Sequence, residues 1–151
     1  MDLTNFKMLD KIVLIGLASD TIVTATSVPS QHAILDNHFP DFPILPGTFL
    51  LEVMAQSAGY LLMKKINFNQ LAILVKSGPC KFSSMVKTNT QLRCEASVIN
   101  FDQSFGLIDT RLFDGENVVS RCELRMKLIP FPSEQAKHFI MNNFEGLYLD
   151  R

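Results

Sequence analysis

The sequence predicts an α+β domain in which an antiparallel sheet wraps one long central helix, with an added helical segment at the C-terminus. Three observations carry this expectation. Two runs rich in Ile, Val and Thr flank a short polar break near the start; one proline-free stretch, apolar on nearly every face, follows; and four more strand-like runs then come in succession.

Residues 11–18 and 21–28 are separated by Ser19-Asp20 and read as a hairpin, with Ile22, Thr24, Thr26 and Val28 alternating against Val23, Ala25 and Ser27. A loop begins at Pro29 and ends in His38-Phe39-Pro40-Asp41-Phe42-Pro43-Ile44-Leu45-Pro46-Gly47. Each proline fixes its own φ and biases the residue before it to extended geometry. The segment therefore predicts a stiff, extended arm, up to roughly 26 Å from His38 to Pro46. Thr48 to Ile66 is dominated by Leu, Met, Ala and Phe, with Lys64-Lys65 near its end where cations suit the helix dipole, and it predicts a helix buried on most sides. Strands are expected at 71–82, 89–100, 104–113 and 117–129, the last two meeting at Asp114-Gly115, a strong hairpin signal. Pro130-Phe131-Pro132 stops the last strand, and Ser133 caps a final helix over 133–147, in which Ala136, Phe139, Ile140 and Phe144 recur at helical spacing.

The 151 residues suit one domain, and 47% apolar against 19% charged residues exclude a disordered or heavily charged nucleic-acid-binding chain. The net charge of −1 hides an uneven distribution. Residues 42–93 hold Lys64, Lys65, Lys76, Lys81, Lys87 and Arg93 against a single acid, Glu52, while both flanking segments are net acidic. Cys80, Cys94 and Cys122 are odd in number and lack a C-x-x-C pair, which suggests neither a disulfide framework nor a zinc site but packing residues on strands in a reducing, cytoplasmic setting. No stretch approaches the roughly 20 apolar residues of a membrane span.

Chemistry concentrates around the arm. Glu52 lies in Phe49-Leu50-Leu51-Glu52-Val53-Met54-Ala55-Gln56, where apolar surroundings are expected to favour the neutral acid, the alternative being a partly exposed Glu on a helix edge or one paired with a lysine. Thr48 and Glu52 do not form a capping box, since the position three after Thr48 is Leu51. Gln56 falls one turn further along the same face and can hydrogen-bond Glu52, or serve as an ordinary polar residue at a helix–sheet boundary. His38 begins the arm, and Pro46-Gly47 ends it just before a helix, whose free N–H groups can hold a developing oxyanion. His32 and His138 read as ordinary polar residues.

His38 to Glu52 closely resembles the active-site segment of the hot-dog-fold 3-hydroxyacyl-[acyl-carrier-protein] dehydratases, H-F-P-x-x-P-x-x-P-G-x-x-x-x-E, and Ala55-Gln56-Ser57-Ala58-Gly59 resembles their A-Q-x-A-G. Lys81-Phe82 and Asp114-Gly115 extend a weaker resemblance over about residues 10–129, leaving 130–151 as an extension of a single hot-dog domain. Glu at position 52 resembles the type that only dehydrates; the related dehydratase/isomerase usually has Asp. Ala33-Ile34-Leu35-Asp36-Asn37 departs from the family's lead-in, which leaves the substrate-entrance loop and the chain-length preference open and suits a divergent paralogue serving a specialised acyl pathway.

The resemblance implies dehydration of a 3-hydroxyacyl thioester to the trans-2-enoyl thioester. His38 would abstract the α-hydrogen and Glu52, kept protonated by its surroundings, would protonate the departing hydroxyl. The Gly47 amide, beside Pro46, would hold the thioester carbonyl. No metal or other cofactor is expected. The resemblance also implies a homodimer in which His38 of one subunit faces Glu52 of the other, with a hexamer as a trimer of dimers the larger option. The substrate would ride on acyl carrier protein or coenzyme A. Because carrier proteins are acidic, the six bases of the central third form the pool for a docking patch, a scattered solvated set being the alternative. Two other readings stay open: a hot-dog acyl thioesterase and a non-catalytic acyl-binding subunit.

Overall fold

The computed structural model describes residues 7–149. Ten elements follow one another: β1 (Lys11–Gly16), β2 (Thr21–Ser27), α1 (Ala33–Asn37), α2 (Gly47–Lys65), β3 (Leu71–Ser77), β4 (Lys81–Phe82), β5 (Gln91–Phe101), β6 (Phe105–Asp114), β7 (Asn117–Ile129) and α3 (Glu134–Leu149). All strands join one antiparallel sheet in the order β1-β2-β5-β6-β7-β3, and β4 pairs with β7 beside β3. α2 lies against β2, β3, β5, β6 and β7. This is the expected hot-dog arrangement of a sheet on a central helix, with a helix added at the C-terminus.

The elements form for local reasons. β2 alternates as read, its Ile22, Thr24 and Thr26 buried towards the helix. Asp20 takes a positive φ of 53° in the first turn, and Gly115 one of 58° in the turn joining β6 to β7, where a glycine meets no steric cost. α2 has Val53, Met54, Ala58, Leu61 and Leu62 fully buried. A buried hydroxyl pair fastens it to the sheet: Ser57 donates to Val53 O at 2.8 Å, and its oxygen accepts from Thr24 Oγ1 at 2.8 Å. Cys94, buried on β5 beside this pair, has its thiol pushed up to about 12 by burial. Ser133 Oγ accepts the Ala136 N–H at 3.0 Å, the expected cap of α3. α3 then packs Phe144 between Tyr60 and Phe68.

Four expectations are corrected. The strand expected over 71–82 breaks into β3 and β4, because Pro79 carries no N–H for the ladder. Residues 33–37, read as loop, form α1, whose start is capped by His32 Nδ1 accepting from Ile34 N at 3.2 Å. The arm is not extended. Phe39 and Phe42 exchange both backbone hydrogen bonds, at 2.9 and 3.0 Å, around Asp41 at a φ of 63°, so the chain folds back on itself. Finally, Cys80 is not on a strand, and it pairs with Cys122, their Cα atoms 4.6 Å apart. The register that sets Lys81 opposite Arg121 puts residue 80 opposite 122.

Candidate active site

His38 ends α1 and opens the folded arm. Its backbone oxygen accepts the Ile44 N–H at 2.8 Å, and its Nδ1 lies 3.0 Å from the Ile44 carbonyl oxygen. A carbonyl only accepts, so Nδ1 carries a proton, and in the neutral ring Nε2 then keeps its lone pair. The ring is half-buried and stacks on Phe39, with centroids 4.2 Å apart. The His38–Phe39 peptide is cis. Leu45 donates to Val86 O at 2.7 Å and Ile44 bridges to Lys87, which anchors the far end of the arm to the chain before β5.

Pro46 is the N-cap of α2 and supplies no side-chain cap, so the first amides of the helix are left facing outward from its start. His38 and Gly47 line one cavity of about 450 Å³ with Leu50, Phe82 and Met85. A Cβ at Gly47 would sit 3.2 Å from the Phe82 ring, so only glycine gives the ring this close approach. Phe82 is the residue that the sequence reading left without a role at the site. Its nearness to Gly47 depends on β4 pairing with β7, which no local pattern announces.

Of the two readings of Glu52, the single chain shows the exposed one. Rather than being enclosed, its side chain is exposed in the single chain, on a face of α2 that its own sheet leaves uncovered. Gln56 is placed as read, Nε2 donating to Glu52 Oε1 at 2.9 Å. The two line a second cavity, of about 340 Å³, with Gly59, Tyr60, Leu74 and Phe139 among its walls. At about 100° per residue, Glu52 points some 200° around α2 from Leu50, which lines the His38 cavity. Within one chain, therefore, His38 and Gly47 come together and Glu52 faces elsewhere.

The six bases divide. Lys65 is tied to Asp20 at 2.6 Å, Lys64 lies over the Phe144 ring, and Arg93 contacts Glu95 at 3.4 Å and stacks over Phe113. Lys76, Lys81 and Lys87 are exposed. Lys81 adjoins Phe82, and Lys87 reaches over Phe42 of the arm at 5.8 Å, so these two stand beside the His38 cavity.

Comparison with known proteins bears on the family and the fold. Residues 2–123 match the model of the FabA-like domain. A 3-hydroxyacyl-[acyl-carrier-protein] dehydratase FabZ of Bacillus licheniformis is 36% identical over 104 residues, covering 68% of this chain and 72% of the relative. The FabZ of Solibacter usitatus is 32% identical over 126 residues, covering 82% and 76%. Among solved structures, a conserved protein of Pseudomonas aeruginosa aligns with a TM-score of 0.64 at 14% identity, covering 79% of this chain and 87% of its own. A Streptococcus mutans protein bound to acetyl-coenzyme A aligns at 0.63 and 13%, covering 88% and 95%. These structural likenesses speak for the fold. Sheet, central helix, arm and sequence kinship converge: the chain belongs to the FabA-like hot-dog family and is homologous to the FabZ dehydratases.

Proposed function

We propose that this protein dehydrates 3-hydroxyacyl thioesters, carried on acyl carrier protein, to trans-2-enoyl thioesters. The observation that carries the reading is the contact of His38 Nδ1 with the Ile44 carbonyl, which leaves Nε2 as a base in the cavity it shares with Gly47. Nε2 takes the α-hydrogen while the Gly47 amide steadies the negative charge growing on the thioester oxygen. The electron pair of the C–H bond forms the C2–C3 double bond, and the C3 hydroxyl leaves as water with the proton of Glu52. Gln56 holds the carboxyl in place.

Glu52 is suited to the acid's task only when enclosed, and the partner subunit supplies the enclosure. In the dimer, His38 of the partner subunit faces Glu52 of the first. Two features support such pairing. β3 is an edge of the sheet, and Phe39, Phe42, Val75 and Phe82 are exposed apolar residues around the arm and that edge. A trimer of such dimers remains the larger assembly to test. Lys81 and Lys87 supply the positive rim for an acidic carrier at the His38 cavity. The cytoplasm is the proposed setting, where the Cys80–Cys122 pair would be held as thiols.

Product analysis tests the function. The purified protein is incubated with 3-hydroxyacyl thioesters on carrier protein and on coenzyme A, and the products are read by mass spectrometry. Loss of one water with the thioester intact is expected. Release of free thiol would instead identify a thioesterase, and inactivity of a correctly assembled dimer on every chain length would favour an acyl-binding subunit.

A further inference from the structure

The cavity below Glu52 is walled on one side by a helix that the family match does not reach. The FabA-like match ends at residue 123, whereas α3 begins at Glu134. From α3, Phe139, Ile140 and Asn143 line the same cavity as Glu52 and Gln56. The rest of that cavity is a groove along α2, floored by Gly59, which presents no side chain, with Met126 beneath it and Leu71 and Leu74 of β3 alongside. Glu52 and Gln56 form its polar end, and most of the remaining lining is apolar. Its volume, about 340 Å³, is in the usual range for a small-molecule site.

Phe139 stands out on this wall. It is 65% exposed, although it borders an apolar groove and sits on a helix whose Phe144 is buried in the core. Tyr60, whose ring lies tilted against Phe144 with centroids 5.8 Å apart, shows where α3 crosses the groove. That crossing lies eight residues along α2 from Glu52, or roughly 12 Å at about 1.5 Å per residue.

We propose that α3 sets the acyl-chain length of this protein, with Phe139 and Ile140 as the residues that end the groove against which the chain of the thioester lies. The inference rests on the dehydratase reading for the identity of its occupant. A chain whose C3 sits at Glu52 runs down the groove away from the carboxyl. It gains affinity with each methylene until it meets α3, and longer chains gain nothing more.

Binding of saturated acyl-coenzyme A thioesters of graded length, measured by calorimetry, reads the groove without the chemistry, and turnover of the matching 3-hydroxyacyl series reads both. In the native protein affinity should rise roughly fourfold per added methylene and then level off. In Phe139→Ala the rise should continue to longer chains, and in Ile140→Trp it should stop earlier. Because Phe139 is mostly exposed, its truncation leaves the core intact, and an unchanged melting temperature checks this. A break at the same length in all three proteins overturns the inference, as does a Phe139→Ala variant that only weakens dimerisation. Dehydration with an unmoved length profile sinks this inference alone. A moved binding profile without dehydration sinks the dehydratase reading and leaves the groove assignment standing.

Discussion

If each catalytic site is shared between two subunits, mixing two inactive variants should restore activity in a fixed proportion. The variants are His38→Ala and Glu52→Ala. Each alone should fall by about 10²–10⁴-fold, the usual worth of a general acid or base. In one chain, Glu52 faces some 200° around α2 from Leu50 and the His38 cavity, so neither variant can repair itself within its own fold. In a mixed dimer, one site lacks both residues and the other has both. Equal amounts, freely exchanged, give half mixed dimers, so about a quarter of the native activity should return, the share set by two-fold symmetry. The assay follows water loss from a 3-hydroxyacyl thioester after the subunits are unfolded together and refolded, with mass-tagged copies reporting exchange. Activity that stays at the level of the parents while mixed dimers are present would refute the shared site.

Other outcomes follow from particular contacts. Gly47→Ala puts a methyl 3.2 Å from the Phe82 ring, so turnover should fall at least tenfold with little change in melting temperature, and Phe82→Leu should recover part of it. Closing the 42-residue separation between Cys80 and Cys122 should stabilise the oxidised protein by about 4 kcal/mol over Cys122→Ser, on a chain-entropy estimate; denaturant unfolding with and without reductant measures it. Burial lifts the Cys94 thiol from its ordinary 9.0 to about 12, so the unfolded chain loses that proton first as pH rises. The stability this thiol contributes is therefore present below pH 9 and is lost between about pH 9 and 12, at up to about 1.4 kcal/mol per pH unit, relative to Cys94→Val in parallel unfolding curves.

Much of this molecule was legible in its sequence, and the parts that were not share a cause. Alternation in residues 21–28, the all-apolar run of α2, the Asp114-Gly115 turn and the Ser133 cap are local signals, and each produced the element it announced. His38, Gly47 and Gln56 could be singled out because their types and intervals stand together on a short segment, and the structure sets His38 beside Gly47 and Gln56 beside Glu52. What escaped depends on distant pairing or on a single dihedral. The arm folds because Asp41 adopts a left-handed conformation that three neighbouring prolines do not predict. Phe82 meets Gly47, and Cys80 meets Cys122, through the β4–β7 register. The exposure of Glu52 stayed one of two readings because an apolar helix sequence states what its faces prefer, while the fold decides which face its own sheet leaves bare.

The clamp between His38 and Ile44 has a consequence for how this site can change. Both of its bonds end on main-chain atoms of residue 44, and the loop between is closed by main-chain bonds of Phe39 and Phe42. The tautomer of the histidine is therefore guarded by no acidic partner that a single base change could remove. Side chains at 42, 43 and 44 can be exchanged to reshape the rim beside the His38 cavity while both main-chain bonds to residue 44 are kept. At position 44 the one natural residue barred on chemical grounds is proline, which has no N–H to give to His38.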